Sequence, residues 1–166
     1  MKNKPIYLIS ACLCGQACRY DGGPAKPEVS AIADGASCPT VPAWVSELPL
    51  WLEQGLALAV CPELEGGLPV PRPPGEIVDG RVMGRDGRDY THEYRAGAAR
   101  TLELARCHGI TRAILKERSP SCGSSLIYDG SFSGRRIAGS GITASLLMQN
   151  GVLVASELNY QELFLF

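Results

Sequence analysis

Four short apolar runs punctuate the chain: PIYLISACL (Pro5–Leu13), LALAVC (Leu56–Cys61), ITRAILK (Ile110–Lys116) and GVLVAS (Gly151–Ser156). Each is short, largely apolar and bounded by turn residues, which reads as a strand buried on both faces. Between them the period changes. Trp44, Leu48, Trp51 and Leu52 fall on one face of a helix expected over Val41–Gln54, with Pro42 in its first turn and Gly55 to stop it. Pro49 weakens that helix. The longest helical pattern is Tyr90–His108, with Tyr94, Ala98, Leu102 and Ala105 on one face and Gly109 as its cap. A short helix is expected over Ser140–Gln149, and a short helix or frayed end over Asn159–Phe166. Asp79-Gly80 inside IVDGRVM predicts a small hairpin, and IYDGSF within Ser124–Gly134 a second. Pro62–Gly75, dense in proline and glycine, is expected to form no regular element. Strands alternating with helices predict an α/β fold: a mostly parallel sheet with helices on both faces, Rossmann-like, in one domain over residues 1–166.

Composition narrows the function classes. The chain has 166 residues, 45% of them hydrophobic, enough for one core. Its formal net charge of −1 writes no broad electrostatic footprint for nucleic acid. No run approaches a membrane span. The basic start followed by a short apolar stretch reads as a first strand rather than a signal peptide, which implies a cytoplasmic protein.

Cysteine is the residue that changes the picture. There are 7: Cys12, Cys14, Cys18, Cys38, Cys61, Cys107 and Cys122. An odd number in a cytoplasmic chain argues for reactive thiolates or a metal site rather than a disulfide scaffold. Cys12 falls near the end of the first strand, Cys61 ends the second, and Cys122, inside SPSCG, follows the third. In a parallel sheet these ends share one edge, where ligands bind. Each loop there carries further chemistry. Arg19 and Asp21 follow Cys12, Glu63 follows Cys61, and Ser119 and Ser121 flank Cys122. Arg19, Asp21 and Ser121 are the expected substrate contacts. Lys116 and Arg118 add positive charge.

Three thiolates suit several centres. Structural zinc takes a fourth ligand, for which Cys14, Cys18 or His92 is available. Iron–sulfur clusters usually take four cysteines, and three leave one iron open as a Lewis acid. Spacing alone does not separate these options. Residues i and i+2 of a strand share a face, so Cys14 is expected beside Cys12. Cys18 and Cys38 read as ordinary loop thiols, and Cys107 as helix packing. Glu63 has a structural alternative, pairing with Arg72, and Arg19 has one with Asp21.

SACLCGQACRYDGG, CPELEGGLPVPRPPGE, DYTHEYRAGA, AILKERSPSCG, IYDGSFSG and GSGITASLL occur in that order. Together they resemble the small desulfidases that include 2-thiouracil desulfidase, a family long catalogued as a domain of unknown function. The resemblance implies a [4Fe–4S] cluster held by Cys12, Cys61 and Cys122, with Glu63 and Ser119 catalytic. It implies non-redox removal of sulfur from a thiolated pyrimidine. The chain departs from the family at Cys14, where leucine is usual. Two other functions compete: a non-enzymatic zinc or iron–sulfur protein, and a metal-free enzyme that carries sulfur as a persulfide on one activated cysteine.

Overall fold

The computed structural model describes residues 5–28 and 41–164. The apolar runs form four short strands, β1 (Tyr7–Ser10), β2 (Ala57–Val60), β5 (Arg112–Leu115) and β8 (Leu153–Ser156). They make one sheet in the order β2-β1-β5-β8, with every pair parallel. Side chains alternate across it. Tyr7 and Ile9 join a core with Trp44, Leu48, Tyr160 and Phe164 on one face. Leu8 joins Leu102, Ala105, Ala144 and Leu147 on the other. Helices α1 (Trp44–Glu53) and α5 (Tyr160–Phe164) therefore cover the first face, and α3 (Thr91–His108) and α4 (Ile142–Gln149) the second. Leu8, Ile9, Ile114 and Leu115 are wholly buried; each contributes about 1.5–3 kcal/mol of burial energy.

Two antiparallel hairpins stand outside the sheet. One pairs β3 (Gly75–Val78) with β4 (Arg81–Gly84) through the expected Asp79-Gly80 turn, where both residues have positive φ. The other pairs β6 (Leu126–Tyr128) with β7 (Arg136–Ala138). They meet: the Phe132 N–H donates to Glu76 Oε2 at 3.0 Å, and Arg85 lies over the Phe132 ring at 5.7 Å.

The sequence expectations need two corrections. The first strand stops at Ser10, and Ala11–Cys14 winds into a single 3-10 turn closed by left-handed Gly15. Cys12 and Cys14 therefore do not share a strand face. Pro62–Glu65 is a one-turn helix, α2, not irregular chain. Pro62 sits at its first position, where proline lacks only an N–H that would be unpaired anyway. Pro49 is accommodated inside α1.

The order of the sheet fixes where a ligand belongs. From β1 the chain crosses to β2 on one side, then to β5 on the other. The carboxyl ends of β1 and β5 are thus a topological switch point, where loops diverge and leave a crevice.

Candidate active site

A cavity of about 640 Å³ opens at that crevice. Ser10, Ala11 and Cys12 reach it from β1, Val60, Cys61 and Glu63 from β2 and α2, and Lys116 to Pro120 and Cys122 from β5. The hairpins complete the wall with Glu76, Arg85, Tyr128 and Phe132. Cys12, Cys61 and Cys122, remote in sequence, line this one space. Cys12 and Cys122 are buried, and Cys61 is partly so. Burial pushes the Cys122 thiol up to about 12. As a thiol that group stays protonated at neutral pH, and binding a metal centre would release its proton.

Glu63 and Ser119 are in contact. Ser119 Oγ donates to Glu63 Oε1 at 3.4 Å and accepts the N–H groups of Ser121 and Cys122, both at 3.1 Å. One hydroxyl thus folds the SPSCG turn and points its proton at the carboxylate. The other carboxylate oxygen is held by Arg72 in an ion pair. Arg72 is buried and also donates to the carbonyls of Cys18, at 3.0 Å, and Pro69, at 3.2 Å. The expected Glu63–Arg72 pair and the Glu63–Ser119 bond therefore coexist.

Helix α3 holds α2 in place through two glycines. A Cβ on Gly97 would lie 1.8 Å from the Pro62 carbonyl oxygen, and one on Gly66 would lie 2.0 Å from that of Glu93. The backbones touch, so the helix bearing Glu63 is fixed against a rigid support. Tyr94, one turn earlier on α3, is buried on the cavity wall, and its hydroxyl pKa is pushed up by burial and then by Glu63.

Glu117 organises the third loop. Its side chain is buried and accepts the N–H groups of Ser124, Ser125 and Leu126 at 2.8, 3.1 and 3.2 Å. The Ser124 and Ser125 hydroxyls add bonds at 3.0 Å each. Burial pushes its pKa up, but these bonds outweigh burial and hold it below the usual value. Next to it, Lys116 Nζ pairs with buried Glu157 at 2.6 Å. Nothing local in ILKERSPSCG marked Glu117 as the acceptor for that loop.

Other expected residues fall elsewhere. Arg19 lines the cavity, but Asp21 does not; it accepts the Gly23 N–H at 3.0 Å and pairs loosely with Arg19 at 3.9 Å. Ser121 is fully buried, its hydroxyl bonded to Thr143 Oγ1 at 2.8 Å in α4. His92 is exposed on α3. Cys14 packs against the core and does not line the cavity. Cys107 is exposed, because it lies on the polar side of α3. Cys38 lies outside the described residues.

Cys18, expected to be an ordinary loop thiol, instead lines the cavity. It is buried at 4% exposure, and its carbonyl accepts the Cys61 thiol at 3.7 Å. No spacing rule pointed to it, since its position depends on how the Gly15–Gly23 loop folds back.

A crevice of thiols at the switch point of a parallel α/β sheet, with a carboxylate and hydroxyl in contact beside it, is the pocket of an enzyme acting on a small molecule. Residues 7–159 match the 2-thiouracil desulfurase family, and the chain belongs to it. It is 39% identical over 162 residues to the uncharacterized protein YbbK of Bacillus subtilis (strain 168), covering 92% of this chain and 95% of that one. Among solved structures it is similar to a [4Fe-4S]-dependent thiouracil desulfidase, TudS, with 41% identity and a TM-score of 0.81. That match covers 96% of this chain and 95% of the other.

Proposed function

We propose that this chain converts a thiolated pyrimidine such as 2-thiouracil to its oxo form, using a [4Fe–4S] cluster held by Cys12, Cys61 and Cys122. The observation that carries the reading is the Glu63–Ser119 contact on the wall of a cavity lined by those cysteines. The donor set fits such a group. Thiolates are the usual ligands of iron–sulfur clusters. Three thiolates on one zinc would sit about 3.8 Å apart, from zinc–sulfur bonds of about 2.3 Å. Among the described residues no three Cys, His, Asp or Glu side chains converge on a single-ion site. Thiols spread around a cavity suit a larger centre.

When bound, the cluster would supply a soft Lewis-acidic iron for the thiocarbonyl sulfur. The protein's own groups do the rest. Glu63 accepts a proton from the attacking water and returns one to the departing sulfur or ring nitrogen. Arg72 aims that carboxylate. Ser119 donates to the Glu63 carboxylate and, on a small rotation, to water or the ring. The sum is C=S plus water giving C=O plus hydrogen sulfide. One carbon–sulfur bond is replaced by carbon–oxygen and no electrons are gained or lost.

The substrate under this reading is a small molecule, with neither nucleic acid nor membrane required. No helix among the described residues is long and apolar enough to cross a membrane. The six described cysteines are free thiols, which suits the reducing cytoplasm.

The test is made on protein purified and reconstituted without oxygen. Iron and sulfide near four each per chain, with 2-thiouracil converted to uracil, is expected. Glu63→Gln should keep the cluster and lose about 10²–10⁴-fold in turnover. Cys122→Ser should lose both. Full turnover in either variant sinks the mechanism, and activity in metal-free protein would favour the persulfide route.

A further inference from the structure

Four thiols, not three, face the cavity. Cys18 is held there from several sides. Its N–H donates to Gln16 O at 2.9 Å, and its carbonyl accepts Arg72 Nη2 at 3.0 Å and the Cys61 thiol at 3.7 Å. The rest of its loop is tied down as well: Arg72 N–H donates to Tyr20 O at 2.9 Å and Ala25 N–H to Cys12 O at 2.9 Å. A buried cysteine can be a mere apolar filler. This one lines the same cavity as the three expected ligands, its carbonyl accepts the thiol of one of them, Cys61, and it hangs from the arginine that holds Glu63. The other extra cysteine of the loop, Cys14, has neither property.

Resting on the iron–sulfur reading above, we propose that Cys18 is a displaceable fourth ligand. Its thiolate closes, in the substrate-free protein, the iron that Cys12, Cys61 and Cys122 leave without a protein ligand. Four cysteines are the usual complement for a cluster of this kind, and thiolate is a soft donor suited to iron. On closure, Cys18 loses its proton to solvent as the sulfur–iron bond forms. When thiocarbonyl sulfur binds, that bond breaks and the thiolate takes a proton back. No electron moves in either direction. The closed form shields the iron most easily lost, and the substrate opens it.

The experiment uses wild type and Cys18→Ala, both reconstituted without oxygen with ⁵⁷Fe and matched for iron content. Mössbauer spectra of substrate-free wild type should show four equivalent thiolate-ligated irons, one of which becomes distinct on adding 2-thiouracil. Stepwise ferricyanide should yield several-fold more three-iron cluster, read by electron paramagnetic resonance, in Cys18→Ala than in wild type. If the thiolate closes nine clusters in ten, removing it tightens apparent 2-thiouracil binding about tenfold, read from the same spectra. A three-to-one iron pattern in substrate-free wild type overturns the proposal, and that measurement needs no variant. So do equal three-iron yields and equal 2-thiouracil dependence in the two proteins. Wild type that loads no cluster at all overturns the underlying reading instead.

Discussion

Gly97→Ala puts a methyl group between two helices whose backbones touch. Its Cβ would lie 1.8 Å from the Pro62 oxygen, 2.8 Å from the Pro62 carbonyl carbon and 3.1 Å from the Gly66 nitrogen. A carbon–oxygen contact relaxes at about 3.3 Å, so α2 must retreat by about 1.5 Å. Directed along the line to Ser119, that movement stretches the 3.4 Å Glu63–Ser119 contact to about 4.9 Å, beyond hydrogen bonding. Misplacement of about 1 Å at a reacting group costs about 100-fold, so turnover of 2-thiouracil should fall by about that factor. Stability responds less. Overpacking costs about 1–3 kcal/mol, and alanine returns about 1 kcal/mol of helix propensity over glycine. The net loss is therefore at most about 2 kcal/mol. The assay compares kcat at matched iron content with the urea midpoint of the apo-protein. Gly66→Ala, whose Cβ would meet Glu93 O at 2.0 Å, should behave alike. Wild-type turnover in both would refute the idea that α3 positions Glu63.

Arg72→Lys keeps the charge but loses the fork that grips Glu63 and two carbonyls, so kcat should fall at least about tenfold while the fold survives, checked by circular dichroism beside the activity. Lys116→Met strands the Glu157 carboxylate in a buried site and should cost about 3–5 kcal/mol in apo-protein urea unfolding, whereas combining it with Glu157→Gln should recover part of that loss. The folded-state pKa of Glu117 lies below its ordinary 4.5, so its contribution is complete above that value and fades as pH falls through the folded one. Apo-protein unfolding followed from pH 6 downward should therefore show a loss of stability below 4.5 that Glu117→Gln lacks; identical profiles would contradict that role.

The fold was largely legible because its signals are strong and local. Continuous apolar runs, a long amphipathic helix and an Asp-Gly turn each dictate structure within a few residues. The cavity-lining cysteines followed from topology: strand ends of a parallel sheet must share an edge. What escaped was set by contacts between distant segments. Ala11–Cys14 is apolar enough to continue a strand, yet the chain turns there to bring Cys12 under the crevice. Pro62 reads as a breaker in isolation and as a helix start once β2 ends before it. Cys18 and Cys14 look alike in sequence; only the return of the loop onto Arg72 separates the thiol in the cavity from the thiol in the core.

The two hairpins that meet through Glu76, Phe132 and Arg85 are built independently of the sheet. The cavity thiols, Glu63 and Ser119 sit at or just beyond the strand ends, while the far wall of the cavity belongs to these separate flaps. Residues there can be exchanged without touching the register of the four-stranded sheet. The shape of the pocket's far wall can therefore change on the flaps while the thiol-bearing floor keeps its geometry.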